Sequence, residues 1–135
     1  MSGQATNRYV AIGVGCRAGV SGEAIAALLR RALIEFGAPE GERRLFTLAA
    51  KAEEPGLVEA ARLIGAKLTP LPLAALEAEV PRILTPSPVV QLLFGVPAIA
   101  EAAALAGAGA GGKLLGPRLA ADDATCAVAL SAEFS

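Results

Sequence analysis

Residues 9–21 read YVAIGVGCRAGVS, and this stretch decides the fold. Its first half is a near-continuous apolar run, which is typical of a strand buried on both faces of a sheet. Glycines then end the run, and Ser21 opens a long amphipathic helix whose unpaired N–H groups point back toward the loop. The stretch predicts a strand-to-helix turn that faces an anionic ligand. The simpler alternative is an ordinary turn with no ligand.

Charged and small side chains in and near this loop are the first candidates for ligand contact. Arg17 offers a guanidinium that can hold a carboxylate or phosphate through two parallel hydrogen bonds. Cys16 is either a small buried hydrophobe or, ahead of a helix N-terminus, a thiol with a lowered pKa. Arg17 and Lys51 have a second interpretation, as solvated surface charges. We expect the loop, the turn at Lys51 and the start of the helix after Gly95 to form one wall of the main pocket.

Strands and helices alternate over the first half of the chain. The predicted elements are a helix from Ser21 to Gly37, a strand at 45–48, a helix from Pro55 to Gly65 and a strand at 67–69. Repeated strand–helix steps favour a parallel sheet with right-handed crossovers. We therefore predict an α/β fold, a single three-layer α/β/α domain over residues 1–135 with a flexible start at 1–8. Its sheet is expected to be mostly parallel or mixed, with about five strands.

The second half of the chain is less regular. Ser87 is typical of a helix N-cap before Pro88, and contact with a ligand would be its secondary role. Gly95 breaks that segment, and Pro97 begins the next helix. The remaining predicted elements are a short helix at 73–79, an alanine-rich helix at 98–106 and strands at 113–115 and 124–130.

Composition narrows the class of protein. The chain has 135 residues, of which 54% are hydrophobic and only 4% aromatic, so its core must consist of aliphatic side chains. Twelve basic and 13 acidic residues leave no global field for nucleic acid, and no stretch is typical of a signal peptide or a membrane span. Two cysteines are too few for a disulfide framework and too isolated for a zinc motif. We expect a cytoplasmic protein without a metal, in contact with neither nucleic acid nor membrane.

The sequence contains no histidine. Histidine-activated nucleophiles, histidine general bases and histidine-ligated metals are therefore excluded, which favours a binding protein over a hydrolase. The candidates for any acid–base chemistry are Lys51, Glu53 and Glu101. Glu53 or its neighbour Glu54 has a second interpretation, as a charge that stabilises the start of the next helix. Glu101 lies among alanines and must either bind a loop donor or face the site.

Nucleotide cofactors are not expected. Gly13, Gly15 and Gly19 follow the pattern G-x-G-x-x-x-G, which is one residue longer than the dinucleotide fingerprint, and no acidic residue clearly ends the second strand. The Walker A pattern is also absent. We therefore predict no cofactor.

Several segments together resemble one known family. They are GVGCR at 13–17, KAEEPGL at 51–57, Ser87, GVPAIAEAAAL at 95–105 and TCAVA at 125–129. In this order and spacing they are similar to the C-terminal domain of the cobalamin-biosynthesis protein CbiG and its stand-alone relatives of the CobE type. The lactone-processing N-terminal part of CbiG has no counterpart in these residues, so the stand-alone type is the closer match. One departure is Arg118, which stands where the family usually has a lysine and changes reach and hydrogen-bond geometry.

The resemblance implies a role in corrin-ring synthesis. Precorrins are large flat macrocycles with several peripheral carboxylates, and a receptor for them needs backbone donors, a few cations and an apolar floor. The residues that the resemblance and their chemistry suggest for such a ligand are Gly13, Gly15, Cys16, Arg17, Ser21, Lys51, Ser87, Gly95, Val96, Glu101 and Arg118.

Three functions remain open at this point. The leading hypothesis is a protein that binds a corrinoid or precorrin intermediate and assists its processing or its transfer to other corrin-pathway enzymes. The second is a hydrolase similar to CbiG, which opens a ring lactone and releases acetaldehyde, with Lys51, Glu53 or Glu101 as acid–base groups. The third is a structural or interaction domain whose glycine-rich turn has no ligand.

Overall fold

A computed structural model describes residues 8–84, 86 and 98–134 of the chain. The predictions made for Ser87, Pro88, Gly95, Val96 and Pro97 lie outside the described residues, as does the predicted flexible start at 1–8 except for Arg8.

The described elements follow the predicted alternation of strands and helices. In chain order they are β1 Tyr9–Cys16, α1 Gly22–Glu35, β2 Glu42–Leu48, α2 Pro55–Ile64, β3 Lys67–Leu71, α3 Leu73–Glu77, α4 Ile99–Ala108, β4 Lys113–Leu114, β5 Leu119–Ala121 and β6 Ala124–Leu130. Short 3-10 helices lie at Ala49–Lys51, Val80–Arg82 and Ala132–Phe134.

Local signals set the helix boundaries. The Oγ of Ser21 accepts a hydrogen bond of 3.1 Å from the N–H of Ala24 and so caps α1. Pro55 occupies the first turn of α2, where its missing N–H costs no hydrogen bond. Gly65 ends α2 at a φ of 70°, a left-handed conformation that glycine adopts without a steric penalty.

The sheet is mixed and has six strands among the described residues. The strand order is β3-β2-β1-β6-β4, and β5 also pairs with β6. β1, β2 and β3 pair in parallel, whereas β6 pairs antiparallel with β1, β4 and β5. The α/β class and the mixed sheet agree with the prediction. The additional strand is β5, which has only three residues and follows Gly116 and Pro117, so no periodic pattern indicates it.

Helices cover both faces of the sheet, and the side chains of β1 differ in size between the two faces. Val10, Ile12 and Val14 belong to the core beneath α1 and α2, whereas Ala11 on the opposite face packs with the alanines of α4. Small residues on both surfaces let α4 lie close to the sheet. Among the described residues, no helix combines the length and apolar character that crossing a bilayer requires.

Candidate functional site

A cavity of about 530 Å³ opens at the edge of the sheet where β1 ends. Four segments line it: the end of β1 with the next residue, the 3-10 helix after β2, the first turn of α4, and the stretch from Arg118 into the start of β6. Parallel strands bring their carboxyl ends to one edge, which is why the loops after β1 and β2 meet here. The predicted site residues gathered in this cavity are Gly15, Cys16, Arg17, Lys51 and Arg118.

Arg17 lies at the mouth of the cavity. Its side chain is 82% exposed, and its Nε is 3.8 Å from Oδ1 of Asp123, a carboxylate that is itself 63% exposed. Solvent screens a pair of this kind, so the guanidinium can exchange Asp123 for a ligand carboxylate at little cost. The backbone is held more firmly, because the N–H of Arg17 donates a 3.0 Å hydrogen bond to the carbonyl oxygen of Asp123.

Cys16 and Lys51 line the same cavity. Burial raises the pKa of the Cys16 thiol, the charge of Glu54 raises it further, and Lys51 acts in the opposite direction. The interpretation of Cys16 as a thiol with a lowered pKa is therefore wrong. The thiol is half-buried at the end of β1, and it contributes a neutral, polarisable surface to the cavity.

Arg118 and Glu101 are joined although they are 17 residues apart. Glu101 is fully buried in the first turn of α4, and its Oε2 accepts a 2.9 Å hydrogen bond from the backbone N–H of Arg118. Its Oε1 accepts a 3.0 Å hydrogen bond from the N–H of Leu84. The carboxylate thus binds loop donors, which was one of the two predicted alternatives, and Glu101 does not line the cavity.

Gly13 lies outside the cavity, in contrast to the prediction that it contacts a ligand. It is buried under α4, where an added Cβ would collide with the carbonyl oxygen of Ala100 and the amide nitrogen of Ala104. The glycine is therefore required for close packing of the helix on the strand. Gly15, two residues later, is only partly buried and lines the cavity beside Ile99 and Thr125.

Ser21 borders a different, smaller hollow of about 280 Å³ between the starts of α1 and α2. Oε2 of Glu54 reaches across it to accept a 3.0 Å hydrogen bond from the N–H of Gly19, so this carboxylate ties the first loop to the start of α2. Glu53 is exposed and lines neither hollow. Of the acid–base candidates, only Lys51 reaches the main cavity, since Glu53 and Glu101 lie elsewhere.

Sequence reasoning missed the carboxylates of the cavity. Asp122 and Asp123 form the two-residue turn between β5 and β6, where Ala121 pairs with Ala124. Both have positive φ, 53° and 66°, as a type I′ hairpin turn requires. An Asp-Asp pair between two short apolar runs is the signal that could have indicated this hairpin.

The cavity combines three cations, two carboxylates and an apolar floor. Arg17, Lys51 and Arg118 supply the positive charge, and Ile99 with its alanine neighbours supplies the floor. Such a surface can hold a flat apolar group that carries peripheral carboxylates. In the described ranges, no group of three or more histidine, cysteine or acidic residues could hold a metal ion.

Comparisons with known proteins identify the family of the chain. The family model described as cobalamin synthesis G C-terminus matches residues 10–129. A curated protein CobE from a Sinorhizobium species is 37% identical over 119 residues, which are 87% of this chain and 77% of that protein.

Two solved structures extend the similarity to the fold. The crystal structure of CobE, a protein from the cobalamin (vitamin B12) biosynthetic pathway, has 39% sequence identity and a TM-score of 0.83, over 91% of this chain and 90% of that chain. The cobalamin biosynthesis protein chiG from Agrobacterium tumefaciens has 35% identity and a TM-score of 0.68, over 90% and 98% of the two chains.

Proposed function

This chain belongs to the family of the cobalamin synthesis G C-terminus, and from that premise we propose that it binds a corrinoid intermediate and passes it to another protein of the pathway. The observation that carries the proposal is the convergence of Arg17, Lys51 and Arg118 on one cavity with an apolar floor. Its chemistry complements a flat macrocycle with carboxylates at its rim.

The size of the cavity supports partial enclosure of such a ligand. About 530 Å³ is within the usual range for a pocket that holds a small molecule, but a corrin ring with all its side chains is larger. One edge of the macrocycle would enter, with its carboxylates against the cations and its ring edge against Ile99 and Ala100. A ligand held by one edge leaves the rest of its surface accessible to a second protein, which suits transfer.

Two of the three predicted acid–base candidates, Glu53 and Glu101, lie outside the cavity, which counts against their use in lactone hydrolysis. A general base must lie within hydrogen-bond reach of the reacting group or of one bridging water. Glu53 is exposed outside the cavity, and Glu101 is fully buried and engaged with backbone donors. Of the three predicted candidates Lys51 lines the cavity, beside the carboxylates of Asp122 and Asp123, and its charge is of direct use in holding a ligand carboxylate.

The test uses the purified protein and two probes that share one ring and differ at the peripheral carboxyl groups. Cobyrinic acid carries free peripheral carboxylates, and its methyl ester has the same ring without the negative charges. We expect saturable binding of the acid, seen as a shift in its visible absorbance, and at least tenfold weaker binding of the ester, because each charged hydrogen bond contributes about 1.5–3 kcal/mol.

A parallel incubation with late precorrins, followed by mass spectrometry, separates binding from catalysis. An unchanged ligand mass is the expected result. Multiple turnover with loss of a two-carbon fragment would establish a hydrolase of the CbiG type instead. Absence of binding to every carboxylated corrinoid would contradict the proposal.

A further inference from the structure

The edge of the sheet is irregular where Arg118 joins it. Leu114 pairs with Ala129, and Leu119 pairs with Cys126, so residues 115–118 of this edge face only residues 127–128 of β6. Two extra residues must therefore bulge out of the ladder. The bulge contains Pro117, which has no N–H to donate, and its last residue is Arg118.

Glu101 accepts a hydrogen bond from the backbone of this bulge. The N–H of Leu115 still bonds to the carbonyl oxygen of Val128 at 2.8 Å, whereas the N–H of Arg118 donates to Oε2 of Glu101 at 2.9 Å. A buried N–H requires an acceptor, and a carboxylate in the first turn of α4 is a strong one. The bulge is thus fixed at its end by a fully buried side chain.

The same carboxylate connects three segments near the cavity. Its second oxygen accepts from the N–H of Leu84, which follows the 3-10 helix Val80–Arg82, and its own helix turn contributes Ile99 and Ala100 to the floor. Two backbone donors on one buried carboxylate therefore tie the bulge to the first turn of α4. Arg118 therefore lines the cavity while its backbone is held by Glu101.

We propose that Glu101 is a positioning residue, which sets the affinity for a ligand carboxylate by holding the backbone of Arg118 at the cavity wall. The inference rests on the proposed function, because it assigns a role to Arg118 in holding the ligand. A glutamine at this position retains the shape but offers a single acceptor oxygen, and its NH2 group cannot accept from a backbone N–H. Weakening of the bond to the N–H of Arg118 frees the bulge, and weakening of the bond to the N–H of Leu84 frees the segment before it.

The experiment is a double-mutant cycle with cobyrinic acid as the probe. Affinity is measured for the wild type, Glu101→Gln, Arg118→Ala and the double variant. We expect each single variant to lose about tenfold or more in affinity and the double variant to lose hardly more than Arg118→Ala alone, since Glu101 acts through Arg118. A second cycle with Arg17→Ala is the control, in which the two losses should multiply.

The outcomes distinguish this inference from the proposed function. If the wild type fails to bind, the proposed function fails. If the wild type binds but the losses from Glu101→Gln and Arg118→Ala multiply, or Arg118→Ala has no effect, the positioning role is overturned while the function stands. Should Glu101→Gln fail to fold, Glu101→Asp, which retains both oxygens on a shorter side chain, takes its place in the same cycle. Failure of both variants to fold would make Glu101 a residue of the core alone and would overturn the inference.

Discussion

The Nε of Arg17 lies 3.8 Å from Oδ1 of Asp123, and the N–H of Arg17 donates to the carbonyl oxygen of the same aspartate at 3.0 Å. These contacts join the loop after β1 to the hairpin between β5 and β6. The backbone bond fixes the mouth of the cavity, whereas the exposed ion pair holds the guanidinium only loosely. The guanidinium of Arg17 is thus available to a ligand carboxylate, with which the carboxylate of Asp123 competes.

Arg17→Ala is expected to weaken the binding of cobyrinic acid by about 1.5–3 kcal/mol, because it removes a charged hydrogen bond to a ligand carboxylate. The melting temperature should change little, since the side chain is 82% exposed. Titration by visible absorbance and a thermal melt measure the two effects. Arg31→Ala, at an exposed arginine on α1 outside the cavity, is the matched control and should alter neither. Unchanged affinity with a large drop in melting temperature would make Arg17 a structural residue.

Asp123→Asn should have the opposite effect on affinity. The substitution removes the carboxylate that competes for Arg17, and asparagine tolerates the positive φ of 66° at this position. We expect cobyrinic acid to bind about two- to fivefold more tightly, the scale of an exposed ion pair, with a gain that shrinks as salt is added. Weaker binding would show that Asp123 itself accepts a hydrogen bond from the ligand.

Residues that begin or end helices made the first half of the fold predictable from the sequence. Ser21, Pro55 and Gly65 each act on the nearest turn of backbone, so their positions indicated where helices begin and end. The local signal for β5 is the Asp122-Asp123 turn at its end, whereas its start follows a bulge that only the assembled sheet contains. Local signals are read within a few residues, whereas an edge strand is decided by its neighbour.

The candidate site was predictable where it depends on topology. Arg17 and Lys51 follow the carboxyl ends of adjacent parallel strands, and the structure places both in one cavity. For Glu101, the sequence predicted that a buried carboxylate needs hydrogen-bond donors, but it could not identify them as the N–H groups of Leu84 and Arg118. For Gly13, too, the sequence predicted the kind of contact but not the contacting group. A glycine in a strand indicates close approach by something, and here α4 rather than a ligand approaches.

Gly13→Ala should destabilise the fold by about 1–3 kcal/mol or more. The new methyl group would collide with the backbone of α4 at Ala100 and Ala104, and neither strand nor helix can move without disturbing the other core contacts. Chemical denaturation measures the change in the free energy of unfolding. Gly15→Ala is the control, because the nearest atoms to its Cβ would be Thr125 Oγ1 at 3.3 Å and Ile99 Cγ2 at 3.6 Å, both in side chains.

The two glycine variants should therefore separate stability from binding. Gly15→Ala is expected to retain most of the stability but to narrow the cavity and weaken corrinoid binding. Equal stability of the two variants would contradict the packing role assigned to Gly13.

The buried thiol of Cys126 should make the stability of the protein depend on alkaline pH. Cys126 is fully buried in β6, and its Sγ lies 3.8 Å from the carbonyl oxygen of Leu28. Desolvation raises the pKa of the thiol to about 12, and the charge of Arg31 acts in the opposite direction. The unfolded chain releases this proton near pH 9, whereas the folded chain retains it up to about pH 12. Between these values the folded state binds more protons, so the free energy of unfolding falls as pH rises.

We expect titration of Cys126 to lower the free energy of unfolding by about 1 kcal/mol for each pH unit above 9. Below pH 9 the thiol is protonated in both states, so this group adds no pH dependence. Denaturation curves for the wild type and Cys126→Ala at several values from pH 8 to 10.5 measure it, because the difference between their slopes isolates Cys126 from Cys16 and the other alkaline groups. The wild type should lose stability faster over this interval. Parallel curves for the two proteins would mean that the thiolate is tolerated in the core of the folded chain, and that the carbonyl of Leu28 and the surrounding apolar side chains move apart to admit water around it.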